Sequence, residues 1–356
     1  MFYIKSIKLN NFRCYKEFSL EFSPKINIII GDNAVGKTCL LEAIYALSLT
    51  KSHRTSNDND LIMKNEEYCF VKSSFFNDKD EVVTFSLSEK GKQIVKNEKK
   101  VARLSKYIGY YNVVMFCPED VELINGAPTS KRRFLDINIG QINPLYVDSL
   151  SKYKKLLKER NQLLKDLSES GSFNNELLAV ITNQLITEAK IIIKYREEFI
   201  EKINLFFKDQ VKAISLGKEE ALIKYNPSCT VEEIEKEFKS KEKLDLITKT
   251  TNCGPHRDDF AIQYNDLESE FASQGQQKTF ALGLKLALID ILKEKSNKII
   301  VMLDDVFGEL DINRQKQIIK MIEMDYQIFI TTTSINHLDS EVLKSSNIIK
   351  IERCSE

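Results

Sequence analysis

The sequence predicts an α/β protein with a mixed parallel core sheet, flanking antiparallel strands and a helical insertion. Three observations carry that expectation. A β-branched run at 26–30 leads through a glycine-rich turn into a segment of helical periodicity. The last hundred residues alternate apolar strands with helices, the pattern of a parallel sheet. Between them, 149–216 is almost free of Gly and Pro, with one breaker at Gly171.

Taken in order, 4–30 reads as strands, because Phe18, Leu20 and Phe22 alternate with Ser19 and Glu21. Leu40, Leu41, Ile44 and Leu47 recur at three- and four-residue spacing, so 38–49 should be a buried helix. Pieces between 70 and 95, separated by Asn77-Asp78 and Lys90-Gly91, read as an antiparallel meander. The breaker-poor stretch carries Leu156, Leu157, Leu163, Leu164, Leu167, Ile192, Ile193 and Ile203 at heptad-like positions, which predicts two long helices in a hairpin. Helices at 278–293 and 314–324 then alternate with strands at 299–303 and 327–330. The expected domains are 1–112 with 251–356 as lobe I and the helical lobe II at 113–250.

Composition narrows the function classes. The 52 basic and 52 acidic side chains cancel, which argues against indiscriminate coating of polyanions and still permits a local basic patch. No apolar run approaches the roughly 18 residues needed to span a bilayer. The alternating start, Met1-Phe2-Tyr3-Ile4-Lys5-Ser6-Ile7, is unlike a signal peptide. Seven Cys, at 14, 39, 69, 117, 229, 253 and 354, form no C-x-x-C pair, which fits reduced thiols and argues against zinc. The expected location is the cytoplasm, with no membrane contact.

The chemistry begins at Gly31, Asp32, Asn33, Ala34, Val35, Gly36, Lys37 and Thr38, which match G-x-x-x-x-G-K-[ST] between a strand and a helix. The glycines let backbone N–H groups wrap a phosphate at a helix N-terminus. Lys37 would meet β- and γ-phosphate oxygens, Thr38 would hold Mg²⁺, and Cys39 completes the nucleotide-binding segment. The bland alternative is a glycine turn beside a solvated lysine. Later, the apolar strand 299–303 delivers Asp304 and Asp305 at its C-terminal end, where parallel sheets bind ligands. Asp304 is placed to orient the Mg²⁺ shell and Asp305 to position or deprotonate water, with Lys37 as the third catalytic candidate. Two acids closing a strand in a turn would look the same.

Read with Ser273-Gln274-Gly275-Gln276-Gln277-Lys278, these pieces resemble the SMC-like group of ABC-type ATPases, and most closely the RecF family of bacterial recombination mediators. Asn11-Phe12-Arg13, Leu41-Glu42-Ala43-Ile44-Tyr45, Ser52-His53-Arg54, Pro118-Glu119-Asp120, Lys131-Arg132-Arg133-Phe134-Leu135-Asp136, Gly254-Pro255-His256-Arg257-Asp258-Asp259 and Asp304 to Asp311 resemble that family's motifs in its order. The resemblance implies an ABC-type ATPase head, ATP with Mg²⁺, and weak hydrolysis to ADP and phosphate. It further implies an ATP-dependent homodimer in which Ser273, Gly275 and Gln276 of one copy complete the nucleotide site of the other. DNA at gaps or junctions, RecA loading with RecO and RecR, replication restart and SOS induction follow from the same resemblance. Ser273 to Gln277 has a plainer reading as a helix cap, and Glu309-Leu310-Asp311, which resembles an interface loop, as an acidic turn.

Three departures stand out. Asp305 is one methylene shorter than the glutamate common at this position, consistent with slow turnover. Thr331-Thr332-Thr333 stands where a switch histidine is expected, and His337 is unassigned. No glutamine follows the strand 113–116, and Cys117 occupies that neighbourhood. Arg13, Arg54, His256 and Arg257 are candidates for nucleotide or partner contact, or ordinary ion pairs.

The DNA candidates are Lys96, Lys99, Lys100, Arg103 and Lys106; Lys131, Arg132 and Arg133; and Lys152, Lys154, Lys155, Lys158 and Arg160. Glu98 and Glu159 interrupt them, and charge runs are commonly solvated faces. With no Trp there is no stacking platform for single strands, so backbone contact with a duplex is the expected mode. The alternatives are a structural clamp, for which the insertion is too short, a transporter-type subunit, and a regulatory nucleotide-sensing DNA clamp with little useful hydrolysis.

Overall fold

In–out alternation builds the first sheet of the computed structural model, which describes residues 1–55, 57–170, 175–264, 267–268, 272–307, 312–322, 326–336 and 338–352. Strands β1 (Tyr3–Phe12) and β2 (Tyr15–Glu21) form a hairpin, and β3 (Ile26–Ile30) leaves for a second sheet, followed by α1 (Lys37–Leu49). The meander β4 (Tyr68–Asn77), β5 (Lys79–Ser88), β6 (Gly91–Lys96) and β7 (Lys99–Lys100) completes a six-stranded antiparallel sheet in the order β2-β1-β4-β5-β6-β7. Ile7, Leu9, Val71, Phe75, Val83 and Phe85 face its buried side, while Lys8 and Lys72 are exposed, as a period of two requires; Ile4 is buried as well, beyond a register shift between Ile4 and Ser6.

After β8 (Asn112–Phe116), the chain enters α2 (Glu122–Asn125), α3 (Pro128–Ile142), α4 (Pro144–Ser170) and α5 (Asn175–Ile214). The last two pack together as the expected hairpin, with Leu164, Leu167, Ile192, Ile193 and Ile203 buried. Gly171 lies outside the described residues. A small antiparallel sheet with the order β11-β10-β9 follows, built from β9 (Ala221–Asn226), β10 (Asp259–Tyr264) and β11 (Leu267–Glu268), with α6 (Ile234–Thr248) between β9 and β10. The chain continues through α7 (Gln274–Lys295), β12 (Ile299–Asp304), α8 (Ile312–Ile322), β13 (Gln327–Thr332), α9 (Ser340–Lys344) and β14 (Ser346–Lys350).

The second large sheet, β14-β3-β13-β12-β8, is parallel throughout. The expected mixture of parallel and antiparallel strands is therefore divided between separate sheets. Every residue of β12 and β13 is buried, which is why these strands read as unbroken apolar runs rather than alternating ones. On α1, Leu40, Leu41, Ile44 and Leu47 are buried, each worth about 1.5–3 kcal/mol of hydrophobic transfer.

Two compact units emerge: Met1–Asp120 with Leu288–Glu356, and Val121–Ala287. They divide the chain elsewhere than the expected lobes. β8 lies with the first unit because it pairs with β12, and β10 lies with the second because it pairs with β9.

Candidate functional site

Parallel pairing puts four strand ends on one edge. Ile30 pairs with Thr332, Thr331 with Asp304, and Leu303 with Phe116, so the phosphate loop after β3 and the acidic pair after β12 leave the same carboxyl-terminal edge on either side of β13.

Within the loop, Gly36 has φ 110° and Ala34 φ 66°, which turns the chain into α1. A methyl on Gly36 would sit 2.6 Å from the Tyr15 hydroxyl and 3.1 Å from the Cys14 sulfur, and one on Gly31 would run into the Ile351 carbonyl. Asp32, Asn33 and Ala34 are exposed and Val35 is buried. The buried Lys37 folds back, its Nζ donating to the carbonyls of Gly31 at 2.7 Å and Asp32 at 2.9 Å. That spans the loop with a cation where an anion would enter. Cys39 lies in the first turn of α1 and is partly exposed.

Thr38 Oγ1 donates to Asp304 Oδ1 at 3.1 Å across 266 residues of sequence. Thr331 Oγ1 donates to the same oxygen at 2.6 Å and accepts from the Asp305 amide at 3.0 Å. Thr331 thus positions both acids, a role the sequence left unassigned. Asp304 is 6 % exposed, and no ion pair reaches it among the described residues. Burial pushes its carboxyl above the usual range; the bonds from Thr331 and Thr38 oppose this, while Asp305 and Glu119 reinforce it. Asp305 is exposed, with φ 52°. Glu119 was missed as an electrostatic neighbour of this edge. Cys117, expected in the glutamine's neighbourhood, donates its amide to Asp120 Oδ2 at 2.9 Å.

Arg13 is held differently from a nucleotide contact or surface ion pair. Its Nε and Nη2 donate to Glu42 Oε2 and Oε1 at 2.8 and 2.6 Å. The buried Glu42 also accepts from Ser52 Oγ, which in turn accepts from the amides of Arg54 and Thr55. Glutamate in a helix segment otherwise apolar on all sides was the available signal for this knot. Arg54 remains exposed. Burial lowers the His256 pKa, and its ring bridges the Tyr153 hydroxyl at 2.7 Å and the Thr251 carbonyl at 2.9 Å, a structural post. Arg257 is exposed.

In the second unit, Ser273 and Gln276 form a reciprocal capping box at the start of α7: the Gln276 amide donates to Ser273 Oγ at 3.3 Å, and the Ser273 amide to Gln276 Oε1 at 2.9 Å. The helix begins at Gln274, earlier than the expected start at 278. Gly275 is exposed, and a Cβ there would meet nothing within 4 Å. Glu309-Leu310-Asp311 and His337 lie outside the described residues.

Three basic candidates for DNA are corrected. Arg160, 1 % exposed, pairs with Asp245 at 2.8 Å and with the Thr251 hydroxyl at 2.7 Å. Lys131 is buried beside Asp259 at 3.8 Å, and Arg132 donates to the Asp258 carbonyl at 2.9 Å. Lys152, Lys154 and Lys155 are exposed but bridged to Glu188, Asp136 and Glu159. Lys99, Lys100, Arg103 and Lys106 are exposed, with no ion pair among the described residues. None of the described helices is long and apolar enough to cross a membrane.

Comparison with known proteins adds the following. Residues 3–353 match the family model described as RecF/RecN/SMC N terminal domain. Proteins named DNA replication and repair protein RecF are similar along their length: that of Shouchella clausii is 40 % identical, covering 98 % of each chain, and that of Bacillus cytotoxicus 41 % identical, covering 98 % of this chain and 97 % of the other. Among solved structures, the recombination mediator protein RecF-ATP in the RecFOR pathway superposes with TM-score 0.88 at 35 % identity, covering 95 % of this chain and 94 % of that one. An Smc head bound to the C-winged helix domain of ScpA shares the fold at TM-score 0.54, with 17 % identity over 98 % and 93 % of the two chains.

Proposed function

The chain belongs to the RecF/RecN/SMC N-terminal domain family and, within it, to the RecF family, and from that premise we propose that it is an ATP-dependent, DNA-binding recombination mediator. The Thr38–Asp304 hydrogen bond carries the reading, because it joins the phosphate loop to the acidic strand end within one site.

ATP enters the loop formed by Gly31 to Thr38, with Cys39 in the first helical turn. Lys37 exchanges its two carbonyl partners for phosphate oxygens, which stabilise its charge better. The Thr38 hydroxyl and the Asp304 carboxylate are hard oxygen donors suited to Mg²⁺, and a buried carboxylate without a cation fits such an ion. Held by these two residues, Mg²⁺ would supply positive charge to offset that of the phosphates. Asp305 positions or deprotonates the attacking water, and its short side chain supports slow hydrolysis to ADP and phosphate.

A second copy completes the site. Its Ser273, Gly275 and Gln276 present a hydroxyl, an open backbone and a helix N-terminus to the γ-phosphate. ATP thus joins two copies head to tail, and hydrolysis removes the shared ligand. The closed pair holds duplex DNA near gaps or single-strand junctions through Lys99, Lys100, Arg103 and Lys106, and acts with RecO and RecR in RecA loading during repair, replication restart and SOS induction. This work belongs to the cytoplasm.

Light scattering with ATP and a gapped duplex tests the proposal. The expected result is a doubled mass with ATP, retained longer by Asp305→Asn and bound to DNA in a salt-sensitive way. A monomer under every condition would overturn it.

A further inference from the structure

Two loops of the second unit carry a pair of thiols in contact. Cys229 follows β9 and Cys253 follows α6, and their sulfurs lie 3.1 Å apart, with Cys253 donating. Both are free thiols, 5 % and 0 % exposed. The surrounding backbone sets this approach. Ser228, just before the first cysteine, and Gly254, just after the second, exchange two hydrogen bonds: the Gly254 amide donates to Ser228 Oγ at 2.9 Å, and that hydroxyl donates to the Gly254 carbonyl at 2.9 Å. The Ser228 amide also donates to Asp258 Oδ1 at 2.9 Å, and the Thr251 amide donates to Asn161 Oδ1 at 2.9 Å, so each loop is anchored beside its cysteine. Gly254 holds φ 116°, which favours glycine, and a Cβ there would lie 2.6 Å from the Tyr153 hydroxyl. Between the cysteines the chain makes one excursion, α6, whose Ile234, Phe238 and Asp245 are buried. The bond donated by Cys253 lowers the Cys229 thiol pKa and burial opposes it; the same bond, with burial, raises that of Cys253.

We propose that Cys229 and Cys253 are a peroxide-oxidised dithiol whose reversible disulfide clasps the two ends of the α6 excursion. With both sulfurs nearly enclosed, the oxidant is a small one, hydrogen peroxide. The Cys229 sulfur, as thiolate, attacks one peroxide oxygen and the O–O bond breaks, giving a sulfenic acid and hydroxide, which takes up the proton released by Cys229 and becomes water. The Cys253 sulfur then attacks the sulfenic sulfur, and its proton leaves with the displaced hydroxyl as a second water. Two thiols and one peroxide thus yield one disulfide and two waters. A small dithiol reverses this by exchange. The sulfurs need to close by only about 1 Å, from 3.1 Å to the ~2.05 Å of a disulfide, so the anchored loops can stay in place. The bond spans a sequence separation of 24 residues, and it acts chiefly by removing freedom from the unfolded chain. The clasp lies wholly within the second unit and is independent of what the glycine loop binds.

The full-length protein, reduced or treated with hydrogen peroxide, is denatured in an alkylating agent and assayed by non-reducing peptide mapping, and companion samples are melted before and after dithiothreitol. The expected result is a linked pair of peptides bearing Cys229 and Cys253, with a melting temperature raised by about 5 °C that dithiothreitol returns to the reduced value. Cys253→Ser should show no rise with peroxide, and dimedone should label its Cys229, whose sulfenic acid then has no thiol to displace it. Absence of the 229–253 linkage, an unchanged or lower melting temperature in the linked protein, or an equal rise in Cys253→Ser would each overturn the proposal. A Cys253→Ser protein without label on Cys229 would overturn the assignment of Cys229 as the attacking thiol. The peptide map and the melting comparison use the wild-type chain, so they decide the disulfide whether or not the variant folds.

Discussion

Asp304 in the first unit and Asp136 in the second are both carboxylates taken largely out of water, yet their surroundings push them in opposite directions. Burial acts on Asp136 too, but the charges of Arg196 and Lys154 outweigh it and hold its carboxyl below the usual range. Arg196 is 2 % exposed and reaches Asp136 and Asp258 at 2.8 Å each, with the Pro255 carbonyl at 2.6 Å. Asp304 has hydroxyl donors and two acidic neighbours instead. The polar core of the second unit is neutralised internally and serves the fold. The edge of the first unit carries a charge best satisfied by a cation from outside.

The largest expected effect would break the neutralised core. Arg196→Met leaves buried carboxylates without their cation and should cost about 3–5 kcal/mol of stability in chemical denaturation. A loss below about 1 kcal/mol would reduce this network to the worth of a surface pair. Next, Lys37→Met removes charge-assisted bonds to phosphate and should weaken ATP binding in calorimetry by about 1.5–3 kcal/mol, leaving the melting temperature of the nucleotide-free protein nearly unchanged. Unaltered affinity would mean that Lys37 serves the loop alone.

The smallest effect sharpens the contrast by its sign. Asp304→Asn removes a penalised buried charge, so the nucleotide-free protein should gain about 1 kcal/mol, roughly 2–4 °C in melting temperature, while losing Mg²⁺-dependent ATP binding. Because the folded-state pKa of Asp304 is raised, its contribution to stability is fully present below the unfolded value and lost as pH rises through the folded one. For Asp136 the folded-state pKa is depressed, so its contribution is present above the unfolded value and lost as pH falls through the folded one. Melting curves across about pH 3–6 should therefore flatten in opposite directions for Asp304→Asn and Asp136→Asn. Equal responses would erase the distinction.

Much of the edge where the glycine loop meets the acidic pair was legible because short-range rules govern it. The loop needs its glycines, its lysine and its hydroxyl in consecutive order, and a buried parallel strand announces itself as 299–303 does. The helical hairpin was legible from periodicity and from the absence of breakers. Arg160 was not: on a helix, an arginine among lysines reads as solvated, and Asp245, which neutralises it, lies 85 residues away. The sheet joining β9 to β10 was hidden for the same reason, since 221–226 and 259–264 are short and separated by α6. Thr331 looked like a missing switch residue, and only the register of β12 against β13 reveals it as the hinge for both acids.

Mixing two defective variants tests most directly the claim that ATP is held by two copies at once. Lys37→Met lacks the loop's cation, and Ser273→Arg blocks the capped start of α7. Each alone should stay monomeric with ATP in sedimentation velocity. Their equimolar mixture should recover ATP-dependent dimers, because one intact site forms between the phosphate loop of the Ser273→Arg protein and the start of α7 in the Lys37→Met protein. A mixture that stays monomeric, or a Ser273→Arg protein that dimerises by itself with ATP, would contradict the account.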